Sequence, residues 1–496
     1  MADVSADGAI RIVDEMKAAP RLGAGLAATG ALDESHVDEA VAAIVRMAAL
    51  ARQLGARPIE VVATSAVREA ANGSAFLARV RRESGLQPRV LDGREEARLA
   101  YRSALAHFEL GRGRTVVIDI GGGSVELALV AEGLVERLES HPFGAIRLTE
   151  EFMPDGPGKK AVRRLRRHVR ETLRRTVPRR DWRGATVIGS GGTFTNLAGM
   201  HLARQETLVT SIHGTRIPQA DLEHILEKLT AMSPDERLAV PGLNAGRADI
   251  IVAGLAVAAE LLALLETRAL TASAYGIREG LLLEAAHVAP VIADPGEARE
   301  RSVLAFAERC HYEAPHSQQV RRLALQLFDA LGERLGCDAA DRATLADAAL
   351  LHDVGYHINY ENHHKHALHL IRHAELLGMD PEEQVVIAHV ARYHRGKVPR
   401  RKHVEWAALD RDARERVRRL GAILRVADGL DRGHADAVER VKVRWLERCI
   451  RITPVPRRAS TSLRLELWGA HRKAGLLAEV AGVPVEVVGP DGVVEV

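Results

Sequence analysis

Two apolar runs meet at three consecutive glycines in the stretch Val117-Ile118-Asp119-Ile120-Gly121-Gly122-Gly123-Ser124-Val125-Glu126. The runs predict strands over 115–119 and 125–130. Consecutive glycines let the backbone turn tightly and aim several N–H groups at one spot, so residues 121–124 form a candidate phosphate cradle that includes the Ser124 hydroxyl. Asp119, at the end of its strand, is a candidate Mg²⁺ ligand. A glycine-rich hairpin turn is the alternative, but three glycines cost more conformational entropy than a turn requires.

A second glycine cluster, Gly189-Ser190-Gly191-Gly192-Thr193, follows a predicted strand over 185–188 and precedes a predicted helix. Backbone N–H groups at a helix N-terminus bind anions. We therefore take Gly191, Gly192 and Thr193 as further candidate phosphate ligands. A single loop of this kind also occurs as a simple turn, so the inference depends on finding two such loops in an α/β chain.

Two segments nearer the start of the chain also follow predicted strands. The strand over 58–63 is followed by the hydroxyls of Thr64 and Ser65 and by Arg68. An arginine is suited to bidentate contact with phosphate, so these three residues are candidate phosphate ligands. An ordinary capped helix start explains the same residues. After the strand over 89–91, Glu95 and Glu96 open a helix. Acidic residues there normally complement the helix dipole, but a carboxylate near a phosphate loop can also deprotonate water, and both interpretations stay open.

Strand and helix signals alternate over the first hundred residues, which predicts an α/β architecture with a largely parallel sheet. Helices are predicted over 35–54, 75–84, 95–108 and 160–176, and the region 223–286 is expected to be mostly helical. Pro290, Pro295 and Gly296 mark a predicted linker, and residues 300–435 are expected to be nearly all helix. Strand periodicity returns after residue 441, including Leu463, Leu465 and Leu467, which predicts a small α+β tail.

The composition is that of a globular chain. A length of 496 residues suggests about three domains, and 47% apolar with 27% charged residues excludes a disordered chain.

The arginine-rich helix over 160–176 is interpreted as a solvated face, so no nucleic-acid binding is predicted. Three cysteines without metal-type spacing indicate a reducing compartment. We see no signal-peptide pattern, and the longest apolar stretch, 250–265, is too short to span a bilayer, so we expect a cytoplasmic protein without a membrane partner.

Histidines and aspartates recur in the second half of the chain as His316, His352-Asp353 and Asp428. Neutral imidazoles and carboxylates bind divalent ions, which lower the pKa of bound water. A single buried histidine is more often a satisfied core residue, but the ordered set favours a metal site. Further histidines lie between these residues and can complete a second metal position: His363, His364, His366, His389 and His394.

Six segments together resemble the exopolyphosphatase / guanosine pentaphosphate phosphatase (Ppx/GppA) family. They are Arg21-Leu22-Gly23-Ala24-Gly25-Leu26, Ala63-Thr64-Ser65-Ala66-Val67-Arg68, Gly93-Arg94-Glu95-Glu96-Ala97-Arg98, the stretch 117–126, the cluster 189–193, and Tyr275-Gly276-Ile277-Arg278-Glu279-Gly280. The resemblance implies an α/β fold of the actin/Hsp70/sugar-kinase type, with one lobe over 1–108 and a second over 109–290. The pattern of histidines and aspartates resembles the HD phosphohydrolases, which implies an all-α domain of that type over 300–435, followed by a small α+β piece over 436–496.

The resemblance also implies roles for individual residues. Glu96 matches the catalytic carboxylate, the general base for water, and Arg68 matches a phosphate-binding arginine. Asp119 matches the Mg²⁺-linked aspartate, and Glu126 is a candidate partner of the same metal. The implied reaction releases orthophosphate from the end of inorganic polyphosphate, with Mg²⁺ as cofactor, and removal of the 5′ γ-phosphate of guanosine pentaphosphate is the close alternative. A Mn²⁺ or Fe²⁺ ion in the HD-type domain and a homodimer are also expected.

Two further alternatives place the function elsewhere: a metal-dependent nucleotide phosphohydrolase in the HD-type domain, or a non-catalytic sensor of polyphosphate or nucleotide. The sensor is suggested by a departure from the family pattern. Family members carry a first strand and a phosphate loop of the form Asp-x-Gly-Ser-Asn-Ser before the segment that begins here at Arg21, and no such stretch is seen. Either the start codon is assigned too late or the protein lacks half of the phosphate clamp.

Overall fold

A computed structural model describes residues 1–5, 10–108, 110, 113–177, 182–205, 208–288, 295–374, 376, 378–400 and 403–489, with side chains from residue 299 in the segment that begins at 295. The chain forms two compact units. Unit 1 comprises Met1–Glu206 and Ile212–Pro295, and unit 2 comprises Thr207–Ser211 and Gly296–Val496. The lobe and domain boundaries that we predict inside these units stay predictions.

The strands of unit 1 form two small sheets and one large sheet. β1 (Ala2–Val4) pairs antiparallel with β2 (Ile10–Ile12), and β3 (Val61–Ala63) pairs parallel with β4 (Pro88–Val90). The large sheet has six strands in the order β7-β6-β5-β8-β10-β9. These strands are β5 (Arg114–Ile120), β6 (Val125–Ala131), β7 (Leu134–His141), β8 (Thr186–Ser190), β9 (Arg216–Pro218) and β10 (Ala269–Ala272).

The large sheet is mixed. Within the first hundred residues, for which a largely parallel sheet is expected, β3 and β4 pair parallel but β1 and β2 pair antiparallel. β8 pairs parallel with β5 and β10, while the β5–β6, β6–β7 and β9–β10 pairs are antiparallel. Short turns join β5, β6 and β7, and strands joined by short turns can only pair antiparallel. This reason does not apply to β9 and β10, which a long helical segment separates. The region 223–286 is mostly helical, as expected, and the unpredicted element is β10, whose four residues are too few to show a strand period.

Helices surround the sheets of unit 1. They are α1 (Leu26–Thr29), α2 (Glu34–Gln53), α3 (Ser65–Glu69), α4 (Gly73–Ser84), α5 (Gly93–His107), α6 (Ala145–Phe152), α7 (Lys159–Thr176), α8 (Gly192–Gln205), α9 (Gln219–Ala231), α10 (Pro234–Leu238), α11 (Ile251–Leu265) and α12 (Ile277–Ala285), with a 3₁₀ turn at Ala245–Arg247. The four individually predicted helices are confirmed as α2, α4, α5 and α7, each to within two residues at either end.

The apolar helix α11 is buried along almost its whole length in the main core of unit 1, and its one carboxylate, Glu260, is buried with it. Arg166 Nε donates to Glu260 Oε1 at 2.6 Å, and Arg170 Nε donates to Glu260 Oε2 at 2.7 Å. Both arginines come from the basic helix α7. The interpretation of this helix as a solvated face therefore holds only in part, because these two arginines neutralise a buried charge. Within the described residues, no helix combines the length and apolar character needed to cross a bilayer.

Unit 2 is mainly helical, as expected. Its helices are α13 (Pro295–Arg309), α14 (Ala314–Leu331), α15 (Ala339–Leu351), α16 (His363–Arg372), α17 (Pro381–Arg392), α18 (Val404–Ala407), α19 (Arg411–Gly429), α20 (Arg464–Lys473) and α21 (Gly475–Ala481), with a 3₁₀ turn at Val354–His357. Two residues of the predicted linker, Pro295 and Gly296, instead begin α13, and Pro290 lies outside the described residues.

The tail of unit 2 contains a three-stranded sheet in the order β11 (Val438–Trp445), β12 (Ile450–Pro456) and β13 (Val485–Val487). The strand expected around Leu463, Leu465 and Leu467 is wrong, because most of this segment belongs to helix α20. Leu463, Leu467 and Ala470 are buried at helical spacing, whereas Leu465 is exposed. Apolar residues of the tail and of the helices belong to one continuous core.

The ion pairs of Glu260 can be tested by substitution. We expect Glu260→Gln to lower the free energy of unfolding by about 2 kcal/mol. Loss of a fully buried ion pair costs roughly 3–5 kcal/mol, and the expected loss is smaller here because the Arg170 side chain reaches solvent. Differential scanning calorimetry measures the change. Glu223→Gln is the matched control, because Glu223 contacts the same Arg166 from a more exposed position. This variant should lower the free energy of unfolding by less than about 1 kcal/mol. Equal losses in the two variants would contradict the structural role of Glu260.

Candidate functional site

The hairpin of β5 and β6 places the predicted phosphate loop at one end of the large sheet. Asp119 and Glu126 are paired directly across the two strands, so their side chains share one face of the sheet. Inside the loop, Gly121 N donates to Ser124 O at 3.0 Å. The predicted strands and the tight turn between them are therefore confirmed.

Helix α6 holds this loop in place. Its first N–H groups donate to loop carbonyls, Ala145 N to Gly121 O at 2.9 Å and Ile146 N to Gly122 O at 3.0 Å. Arg147 Nε donates to Gly123 O at 3.1 Å. The contribution of α6 is missed by the sequence analysis. A possible signal is Gly144, where an added Cβ would lie 2.2 Å from Gly122 O, so that only glycine allows the helix to approach the loop.

The second glycine cluster meets the first at Asp119. Ser190 Oγ donates to Asp119 Oδ2 at 2.7 Å. Gly191 has a φ of 84°, and a Cβ there would lie 2.9 Å from Asp119 Oδ1. Burial raises the pKa of Asp119, while the Ser190 hydrogen bond and the charge of Arg247 oppose this rise. The two predicted loops thus lie together, and Arg247 is a further residue of the site that the sequence analysis missed.

Gly192 and Thr193 differ in what they contact. A Cβ at Gly192 would overlap the Arg247 guanidinium, so this glycine lets the arginine lie against the start of α8. The Thr193 hydroxyl is buried against Gly254 of α11 and has no hydrogen-bond partner among the described residues. In this orientation the side chain packs against the core helix, so a phosphate contact from Thr193 would come from its backbone N–H.

Glu96 is the buried member of the two adjacent glutamates at the start of α5. Arg68 Nη1 donates to Glu96 Oε1 at 2.7 Å, and the same atom also contacts Leu91 O. Burial raises the pKa of Glu96, and Arg68 opposes the rise. Glu95 instead closes a capping box, in which Asp92 N donates to Glu95 Oε2 at 2.8 Å. The two adjacent glutamates therefore differ in role, since Glu95 caps the helix and Glu96 does not.

The first predicted hydroxyls lie beside the glycine loop. Thr64 is the N-cap residue of α3, but its side chain makes no capping hydrogen bond. Ser65 Oγ donates to Glu69 Oε1 at 3.1 Å, and an added Cβ at Gly123 would lie 2.2 Å from Ser65 Oγ. A cavity of about 310 Å³ is lined by Arg21, Thr64, Ser65, Glu96 and residues 121–124, among others.

The buried carboxylates near the glycine loop influence one another. Burial raises the pKa of Glu126 to about 8, with further contributions from the charges of Glu96 and Asp119. Ser140 Oγ donates to Glu126 Oε1 at 2.9 Å. In the described part of unit 1, these carboxylates do not approach closely enough to form a group of three converging metal ligands. The assignment of Asp119 and Glu126 to a metal therefore stays a prediction.

In unit 2, the four predicted metal ligands do lie together. His316 Nε2 is 3.7 Å from Asp353 Oδ2 and 3.8 Å from Asp428 Oδ1, and His352 Nε2 is 3.4 Å from Asp353 Oδ2. All four side chains are buried. Residues from helices α14 and α19 and from the end of α15 thus converge at one point, as the order of histidines and aspartates predicts.

Comparison with known proteins places these observations in a family. Residues 2–289 match the Ppx/GppA phosphatase family, and residues 298–453 match domain III of the Ppx/GppA phosphatases. The HD-type assignment of the helical domain stays a prediction.

Two solved structures illustrate the similarity. A Ppx/GppA family member from Aquifex aeolicus is 27% identical, with a TM-score of 0.50, over 58% of this chain and 92% of that one. An exopolyphosphatase from Cytophaga hutchinsonii is 26% identical, with a TM-score of 0.54, over 58% of this chain and 94% of that one. The fold is the α/β actin-like fold that the resemblance implies. Because the family matches extend over both units, the chain belongs to the Ppx/GppA phosphatase family.

Proposed function

We propose that unit 1 hydrolyses the terminal phosphoanhydride bond of inorganic polyphosphate and releases orthophosphate, with Glu96 as general base. Membership of a phosphatase family makes the chain a hydrolase. One observation carries the assignment of the base: Glu96 is a buried carboxylate that lies on the wall of the same cavity as the glycine loop 121–124. The exopolyphosphatase from Cytophaga hutchinsonii supports the choice of polyphosphate as substrate.

In the proposed reaction, the terminal phosphoryl group lies against the loop 121–124, whose N–H groups and Ser124 hydroxyl bind its oxygens. Glu96 orients a water molecule and accepts its proton as the water oxygen bonds to phosphorus. The P–O bond to the rest of the chain then breaks, and the shortened polyphosphate leaves with the electron pair. Arg68 holds the Glu96 carboxylate in place and adds positive charge beside the reacting phosphate.

We also propose Mg²⁺ as cofactor, beside the glycine loop, where Asp119 and Glu126 are paired across β5 and β6. The carboxylate oxygens of Asp119 and Glu126 are the hard ligands that Mg²⁺ prefers, and both side chains are buried. Burial raises the pKa of each group, and the charges of neighbouring carboxylates add to the rise. When bound, the ion would neutralise charge on the phosphate oxygens. A homodimer and a cytoplasmic location also stay predictions.

The role of Glu96 is tested by replacing each of the adjacent glutamates. We expect Glu96→Gln to lower kcat for phosphate release from long-chain polyphosphate by about 10²–10⁴-fold, since glutamine cannot accept a proton. Glu95→Gln is the control, because glutamine can still close the capping box, and its kcat should stay within about threefold of the unmodified protein. The same assay with guanosine pentaphosphate compares the two substrates. Substantial activity in the Glu96→Gln variant would remove Glu96 as the base.

The ion pair of Arg68 with Glu96 predicts a change in the pH profile. A general base must be deprotonated, so kcat/KM falls as the pH drops through the pKa of Glu96. Arg68 lowers this pKa, and Arg68→Ala should therefore raise the pKa and move the acid limb of the profile to higher pH. Arg94→Ala, an exposed residue of the same helix start, should leave the limb in place. An unchanged limb in the Arg68→Ala variant would contradict the pairing.

The close contact between the glycine loop and Ser65 can be tested with alanine. In Gly123→Ala the new Cβ would lie 2.2 Å from Ser65 Oγ, so the loop has to move away from α3. We expect KM for polyphosphate to rise by about tenfold, since a displacement of about 1 Å at a binding loop has effects of this order or larger. Gly158→Ala is the control because a Cβ there meets no atom within 4 Å. Similar KM values in the two variants would count against the loop as the phosphate site.

A further inference from the structure

Helix α7 concentrates positive charge far beyond the average of the chain. Among its 18 residues, nine are lysine or arginine and one is glutamate. The whole chain has a formal net charge of only +3, so the residues outside this helix are net acidic. A charge distribution of this kind is typical of a protein that binds a polyanion through one local surface.

The cations of α7 lie on the side of the helix that faces away from the core. The buried residues recur at helical spacing and define the inner face: Val162, Leu165, Val169 and Leu173. The opposite face carries a stripe of cations that are three or four residues apart: Lys160, Arg163, Arg167, Arg170 and Arg174. All five residues of this cationic stripe are exposed. At a rise of 1.5 Å per residue, the stripe is about 21 Å long.

The cations of α7 differ in whether a carboxylate neutralises them. Arg166 and Arg170 bind the buried Glu260, and Arg166 also binds Glu223. Within the described residues, no carboxylate lies at ion-pair distance from the other cations of the stripe, which are Lys160, Arg163, Arg167 and Arg174. Most of the stripe therefore has no counter-charge from the described part of the protein.

This arrangement is unfavourable for the helix itself. Like charges three or four residues apart on a helix repel each other, as Arg163 and Arg167 do here. Lys159 and Lys160 lie in the first turn, where the helix dipole favours acidic residues instead. Local electrostatics thus opposes the fold at this helix. A local conflict of this kind is typical of a functional surface and is not needed for a merely solvated face.

The chemistry of the stripe favours a ligand that consists of phosphate alone. Guanidinium groups bind phosphate oxygens through pairs of parallel hydrogen bonds. A single-stranded nucleic acid would also need aromatic side chains on which its bases stack. The one aromatic ring of α7, that of His168, contacts Phe143 and Phe152 instead. Inorganic polyphosphate, a linear polymer of phosphates without bases, fits this surface.

Helix α6 connects the stripe with the glycine loop 121–124. The first N–H groups of α6 donate to carbonyls of the loop, and at the other end of α6 Arg164 Nη2 donates to Phe152 O at 3.3 Å. With eight residues, α6 is about 12 Å long. A long phosphate polymer whose end lies at the loop can therefore reach the stripe, whereas tripolyphosphate is too short to lie along it.

From these observations we propose that the cationic stripe of α7 is a second binding surface for long-chain inorganic polyphosphate. It holds a distant part of the polymer while the terminal phosphate lies at the glycine loop. The proposal rests on the polyphosphate hydrolysis proposed above for unit 1. The stripe takes no part in the chemical step. It raises the affinity for long chains, because the second contact forms within a polymer that is already bound at its end.

The surface is tested on the full chain with the variant Lys160→Gln/Arg163→Gln/Arg167→Gln. KM for long-chain polyphosphate should rise by about tenfold or more, since one of two linked contacts is lost. KM and kcat for tripolyphosphate should stay within about twofold of the values of the unmodified protein, because this substrate uses only the first contact. The melting temperature should be unchanged or higher, since repulsion between like charges is removed.

The matched control removes the same amount of charge from exposed arginines elsewhere in unit 1, in the variant Arg46→Gln/Arg57→Gln/Arg81→Gln. This variant should hydrolyse both substrates as the unmodified protein does. An unchanged KM for long chains in the stripe variant, an equal rise of KM for tripolyphosphate, or the same rise in the control variant would each overturn the proposal.

A binding measurement tests the stripe independently of hydrolysis. Long-chain polyphosphate is titrated in a calorimeter into the Glu96→Gln protein, with and without the three stripe substitutions. Bound phosphates release counterions, so the slope of log Kd against log salt concentration should become shallower by about two when three cations are removed. This change in a protein that releases no phosphate would contradict the hydrolysis but support the binding surface. An unchanged slope in a protein that hydrolyses polyphosphate would do the reverse.

Single-stranded RNA is the competing ligand in the same titration. Polyuridylate of similar length should bind the Glu96→Gln protein more weakly than polyphosphate does, because α7 offers its bases no stacking surface. Tighter binding of polyuridylate that is lost with the three stripe substitutions would overturn polyphosphate as the ligand.

Discussion

The carboxylate of Asp119 is buried at the end of β5, and the arrangement of the site in unit 1 depends on how this buried group is accommodated. Removing a carboxylate from water is costly unless hydrogen bonds and opposite charge replace the water. Ser190 supplies a hydrogen bond and Arg247 supplies charge. Gly191 lacks the Cβ that would press against the carboxylate, so the second glycine cluster can reach it. The two loops therefore meet at Asp119.

Two other buried glutamates of unit 1, Glu260 and Glu96, both pair with arginine but differ in the direction of their pKa shifts. Glu260 receives hydrogen bonds from two arginines in the core of the unit, and together they lower its pKa. Glu96 has a single arginine, lies on a cavity wall, and has a raised pKa because burial outweighs Arg68. A carboxylate with incomplete compensation and access to a cavity keeps its capacity to accept a proton, whereas Glu260 serves only stability.

Unit 2 meets the same constraint with different residues. Its buried carboxylates Asp353 and Asp428 lie among imidazole nitrogens, and Asp428 also contacts the Lys473 ammonium. Arg395 and Lys473 also line a cavity of about 430 Å³ beside the cluster. Because Lys473 lies on α20, residues beyond the match to domain III contribute positive charge to this cavity.

The sequence by itself determined the features that depend on neighbouring residues. Glycine runs and apolar strands predicted the β5–β6 hairpin, helical periodicity predicted four helices of unit 1, and the order of histidines and aspartates predicted the cluster of unit 2. Only the tertiary structure decided which residues complete these sites. Arg247 and helix α6 reach the glycine loops from distant parts of the chain, Thr193 turns toward the core, and the helix α20 replaces an expected strand. Such contacts depend on packing between residues far apart in the chain, which no local pattern encodes.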